Sequence, residues 1–127
     1  MILGIGVDLV ELPRMQRILD RPWARRFIER VFCPEEITVC EKAARPVEAY
    51  AARFAAKEAT VKAFGTGFSR GITPAAIVVS GGERTQPTIH LLAQALVLAD
   101  SMNVSAIHVS LTHTAGSACA VVVIERQ

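Results

Sequence analysis

The sequence predicts a single α+β domain over residues 1–127, with a largely antiparallel sheet packed against one long helix. Three observations predict it. The pattern order is β, helices, ββ, α, ββ, without a regular βαβ alternation. Residues 47–64 are rich in alanine, lack Gly and Pro, and end at Gly65, a natural C-terminal cap. Residues 106–112 and 117–125 read as a closing hairpin around His113-Thr114-Ala115-Gly116.

Each element has its own signal. Residues 2–10 are short, apolar and β-branched, which predicts a buried strand. Pro13 suits the first turn of a helix, and Leu12, Met15, Ile18 and Leu19 continue at helical spacing. Pro22 interrupts that pattern, and a second helical stretch follows at about 23–32. Cys33-Pro34-Glu35-Glu36 opens a third helix, with proline and acids in its first turn. Gly65, Gly67 and Gly71 mark an irregular loop after the long helix. Residues 75–80 and 87–91 predict two strands joined through Gly81 and Gly82, and residues 92–102 a short apolar helix.

Composition narrows the class. Hydrophobic residues make up 51% of the chain, much of it alanine, which buries little area per residue. An oligomer interface is one way to supply the missing burial. Three cysteines, Cys33, Cys40 and Cys119, form no CxxC pair, which argues against a disulfide framework or zinc site and fits a reducing compartment. No apolar run is long enough to span a membrane, and the first residues lack a basic flank; a cytoplasmic location is the expectation. The net charge is only +2, yet residues 14–30 hold six arginines against Asp20 and Glu29. Arg14, Arg17, Arg21 and Arg25 step by three or four and so predict one docking side. Such a segment attracts nucleic acid, anionic lipid or an acidic protein.

Asp8 lies in an otherwise apolar strand, and burying a carboxylate is costly without a cation or donors. Glu58 and Lys62 are four apart on the strongest helix, a spacing that also describes an ordinary surface ion pair. Arg53, Lys57, Glu58 and Lys62 read as a polar stripe aimed at Gly65-Thr66-Gly67. Carboxylate, lysine and glycine loop together predict a polyphosphate site with magnesium, a hard ion that takes carboxylate, phosphate and water oxygens. The loop is not a GxxxxGK[ST] motif. His113, between two threonines at the hairpin turn, reads as a backbone-bonded turn residue or as a phosphate contact.

Three segments carry a resemblance. Gly4-Ile-Gly-Val-Asp-Leu-Val-Glu11, then Arg53-Phe-Ala-Ala-Lys-Glu-Ala59 with Lys62-Ala-Phe-Gly-Thr-Gly67, then His108-Val-Ser-Leu-Thr-His-Thr114 resemble the holo-acyl-carrier-protein synthase family of phosphopantetheinyl transferases. The resemblance implies that family's α+β fold and a homotrimer with active sites between subunits. It implies magnesium on Asp8 and Glu58, and Lys62 serving the diphosphate of coenzyme A or the proton transfer. It implies Gly65, Thr66, Gly67 and His113 near the coenzyme A phosphates, and an arginine helix docking acyl carrier protein in support of fatty acid synthesis. The family often has Gly-Lys-Pro where this chain has Thr85-Gln86-Pro87, and Asp-Ile where it has Ala76-Ile77. The alternative from another class is a non-catalytic nucleic-acid-binding module using the basic helix. It leaves Asp8 and Glu58 unexplained, and the chain lacks aromatic and basic residues interleaved for single strands.

Overall fold

Strand β1, Ile2–Glu11, is where the sequence predicts it, but it is an edge strand with only Gly6 and Val10 buried, not the buried strand expected, and its alternation sets the architecture. In the computed structural model, which describes residues 1–82 and 84–127, β1 pairs antiparallel with β5 (Ser117–Glu125). β5 pairs antiparallel with β4 (Ala106–His113) on its other edge, so the order is β1-β5-β4. A second antiparallel pair, β2 (Ile77–Ser80) and β3 (Thr88–Leu91), forms a separate sheet. The expected antiparallel sheet is therefore two sheets. Among the described residues four α-helices come early: α1 (Leu12–Leu19), α2 (Ala24–Val31), α3 (Pro34–Lys42) and α4 (Pro46–Phe64); α5 (Ala93–Ser101) joins β3 to β4.

Helix α4 lies across the three-stranded sheet. Its row Ala51, Ala55, Ala59, Ala63 recurs every four residues and is almost wholly buried. Opposite it are Ala118 and Ala120 of β5 and Gly4 and Gly6 of β1, so backbones approach closely. A Cβ on Gly4 would overlap the carbonyl oxygen of Ala63. One on Gly6 would overlap that of Ala59 and lie 2.7 Å from the amide nitrogen of Ala63. The alanine content is thus a packing device for one helix on one sheet. Among the described residues nothing covers the sheet's other face: Ile5, Val7 and Leu9 are 55–63% exposed, and Val121 is 40% exposed.

The far side of α4 packs on α3 and β2 through a buried ion pair. Lys57 Nζ lies 2.8 Å from Glu36 Oε1 and 2.9 Å from the Pro74 carbonyl, and it also donates to the Ile77 carbonyl. Glu36 in turn accepts from the Cys33 and Val79 amides, each at 2.9 Å. Every ammonium proton has a partner, so α3, α4 and β2 are tied at one point. Residues 75 and 76, expected as strand, lie in a 3-10 turn, Pro74–Ala76. Pro74 lacks an N–H for a ladder, and its carbonyl is held by Lys57. Lys57→Met should destabilise the chain by about 3–5 kcal/mol, because it strands a buried carboxylate. Urea titration checks this. Adding Glu36→Leu should recover part of the loss.

The stretch of arginines divides. α1 ends at Leu19 and α2 begins at Ala24, so Arg21 lies in the turn between them, not on one continuous helix face. The long helix ends as expected, with Gly65 at φ 79° as its left-handed cap. The expected loop between β2 and β3 includes Glu83, which lies outside the described residues.

Candidate active site

The packing of β1 on α4 builds the site. Gly4 sits on Ala63 and Gly6 on Ala59, so the strand runs back along the helix and the next inward residue, Asp8, arrives beside Glu58. Asp8 is therefore mid-strand on the helix-facing side, with its side chain 16% exposed. Its partner is Lys62, whose Nζ donates to Asp8 Oδ1 at 2.9 Å and to the Val7 carbonyl at 3.1 Å. Lys62 thus bonds to the strand and not to Glu58, its neighbour at four residues. Burial first, and then the charge of Asp8, push the Glu58 carboxyl above the usual carboxylate range. The charges of Lys62 and Arg14 pull it part of the way back.

Two facing carboxylates, one already resisting ionisation, form a donor set suited to a hard divalent cation. Among the described residues no group of three His, Cys, Asp or Glu is placed to hold a metal, so Asp8 and Glu58 would leave most of a coordination shell to other oxygens.

The predicted polar stripe separates into two. Lys57 and Arg53 are buried on another side of α4, Arg53 donating to the Gly81 carbonyl at 3.1 Å. Only Glu58 and Lys62 face Asp8. The loop that follows also differs from a simple amide cradle. The Gly65 amide returns to the Lys62 carbonyl, and the Thr66 and Gly67 amides return to that of Val61. Both glycines have positive φ, and a Cβ on either would meet nothing within 4 Å. What the loop offers beside Lys62 is open space.

His113 belongs to a second cluster. Its Nδ1 lies 3.8 Å from Glu48 Oε1, which Arg45 also approaches at 3.2 Å. These residues line a recess of about 450 Å³ with Arg53, whose Nε is buried without a hydrogen-bond partner among the described residues. The unpaired guanidinium N–H of Arg53 can take an anion, while Arg45 and His113 already lie against the Glu48 carboxylate in the same recess. Glu48 and Glu58 are ten residues apart on α4, roughly 15 Å along the helix. One chain does not bring His113 to Asp8 and Glu58.

The sequence profile of the 4′-phosphopantetheinyl transferase superfamily matches residues 4–122. The chain belongs to that superfamily. The holo-[acyl-carrier-protein] synthase of Maridesulfovibrio salexigens is 46% identical over 126 residues, covering 99% of this chain and all of that protein. The crystal structure of the synthase from Neisseria meningitidis superposes with a TM-score of 0.90 at 31% identity, covering 99% of this chain and all of that one. The synthase from Helicobacter pylori, solved in complex with coenzyme A, gives 0.82 at 31% identity over 95% of this chain and 99% of its own. The α+β fold expected from sequence is the fold of this superfamily, and these relatives lend no support to the nucleic-acid alternative.

Sequence reasoning does not group Arg45, Glu48 and Arg53; Arg53 carries the one usable signal, a cation on an alanine-rich helix with Tyr50 and Lys57 on the same face. Within the basic segment, Arg14 reaches Glu58 electrostatically, and Arg25 pairs with Glu29 at 3.0 Å and Glu41 at 3.8 Å. Arg17 and Arg21 are exposed. Arg26 and Arg30, outside the predicted stripe, flank a larger recess of about 690 Å³ with Trp23 and Phe27.

Proposed function

We infer that this chain transfers the 4′-phosphopantetheine group of coenzyme A to a serine of apo acyl carrier protein, leaving adenosine 3′,5′-bisphosphate. The observation that carries the reading is the meeting of Asp8, Glu58 and Lys62, in a chain with full-length relatives named for that activity. Asp8 and Glu58 would hold magnesium, which when bound supplies positive charge to the diphosphate. Lys62, half exposed beside them, neutralises charge that builds on the diphosphate oxygens. Glu58, with its raised proton affinity, takes the serine proton. The serine oxygen bonds to the β-phosphorus as the bond from that phosphorus to the bridging oxygen breaks.

The working unit we propose is a homotrimer with sites between subunits. Two features support it: the uncovered apolar face around Ile5, Val7 and Val121, and the separation of His113, paired with Glu48 at the start of α4, from Glu58 ten residues further along it. Docking would bring the Arg45, Arg53 and His113 recess of one subunit toward Asp8 and Glu58 of the next. The recess would then take a phosphate of coenzyme A, with Gly65, Thr66 and Gly67 giving it room to pass. A cytoplasmic location goes with these substrates and with three cysteines that form no disulfide. Fatty acid synthesis is the pathway this product serves.

Incubation with coenzyme A, magnesium and apo acyl carrier protein should add one phosphopantetheine to the carrier's mass. No added mass with any divalent metal would overturn the assignment. The acidic carrier is expected to dock on Arg14, Arg17 and Arg21, with Arg25 at the edge because it is already paired. Arg21→Ala should raise the carrier's KM about two- to fivefold and flatten its salt dependence, leaving coenzyme A binding unchanged. Arg14→Ala should raise KM and alter kcat as well, since its charge reaches Glu58. Initial rates at two salt concentrations check both.

A further inference from the structure

Lys62 makes a contact that phosphate binding does not require. Its ammonium is hydrogen-bonded to Asp8 Oδ1 at 2.9 Å and to the carbonyl of Val7 on the open edge of β1. Asp8 is largely shielded and has Glu58 close by, so two carboxylates would face each other without a cation between strand and helix. Lys62 is 52% exposed, on a long flexible stem, and one of its three protons has no protein partner among the described residues.

We propose that Lys62 is a resident counter-cation for Asp8, and that it exchanges partners when a divalent cation binds, passing from Asp8 to an anionic oxygen of the diphosphate. The proposal rests on the reading of Asp8 and Glu58 as metal ligands. A divalent ion on those carboxylates repels the ammonium at short range and competes with it for the lone pairs of Asp8. The released ammonium needs an anion, and the diphosphate is the one at hand. Metal alone therefore binds against a competitor built into the helix. Metal and coenzyme A together remove that competition, because the diphosphate gives Lys62 its new partner. Coupling between the two ligands follows, and it is reciprocal.

The test is a manganese(II) titration followed by electron paramagnetic resonance, with no coenzyme A present. It compares the intact chain with Lys62→Met, Lys62→Gln and Asp8→Asn. Thermal melts confirm that each variant is folded; the Lys62 side chain is half exposed, so little stability is at stake. Lys62→Met and Lys62→Gln should each bind manganese about three- to tenfold more tightly. Added coenzyme A should then improve their metal affinity less than it does for the intact chain. Unchanged or weaker binding in both Lys62 variants, with weaker binding in Asp8→Asn, would overturn the exchange and leave the metal site standing. Equal binding in Asp8→Asn and the intact chain would overturn the metal site, and the exchange with it.

Discussion

Glu58→Gln is expected to cut turnover by about 10²–10³-fold while leaving the metal-free chain as stable as before, or slightly more so. Both halves follow from one fact. Glu58 is held where burial and the charge of Asp8 oppose its ionisation. Its proton affinity is higher folded than unfolded, so the folded state binds more protons in that range. Stability from this group is present below the ordinary carboxylate value of about 4.5 and is lost as pH rises through the raised folded value. Glutamine has no such titration. Melting curves in metal-free buffer should show the variant level with the intact chain in acid and ahead of it at neutral pH, by roughly 1–3 °C. Near-normal turnover would remove the metal and base roles given to Glu58. A clear loss of neutral stability would show that the carboxylate supports the fold.

The second large effect is expected at Gly6, which carries no functional group. Gly6→Ala puts a methyl group into the carbonyl of Ala59, on a helix that cannot yield locally. Strand and helix must part, at a cost of about 3 kcal/mol or more. That is roughly 10 °C or more in melting temperature. The same displacement carries Asp8, two residues on, away from Glu58. Whatever folded protein remains at low temperature should therefore have lost metal affinity as well as stability. A control at Gly116, where a Cβ would meet nothing within 4 Å, should change neither. Manganese affinity and a urea midpoint, measured on both variants, decide the matter.

How far the molecule was legible differs from residue to residue. The helix ends at Gly65, which takes the left-handed cap conformation at no steric cost, and that preference is local. The strand holding Asp8 was equally plain, since an apolar β-branched run with two glycines leaves few alternatives. The partner of Asp8 was not legible. Lys62 is 54 residues away, and i,i+4 spacing offered Glu58 a nearer lysine that the fold does not use. The expected stripe of four charges divides for a geometrical reason that the sequence does contain. At about 100° per residue, Lys57 and Glu58 point to different sides of a helix. Lys57 belongs to Glu36 and Glu58 belongs to Asp8. His113 could be placed on a hairpin, but its neighbours Glu48 and Arg45 come from the start of another element. The two-sheet arrangement was hidden because strand signals give pairing partners only through tertiary packing.

The alanine row of α4 has one more consequence. Alanine has no side-chain rotamers to freeze, so ordering this interface costs only backbone entropy. It also leaves no rotamers through which the interface could readjust. The separation of β1 from α4 is set by backbone atoms in contact, a hard stop on both sides. The two carboxylates contributed by those elements therefore sit on a fixed gauge, their spacing insensitive to the thermal rearrangements that loosen cores built of longer side chains.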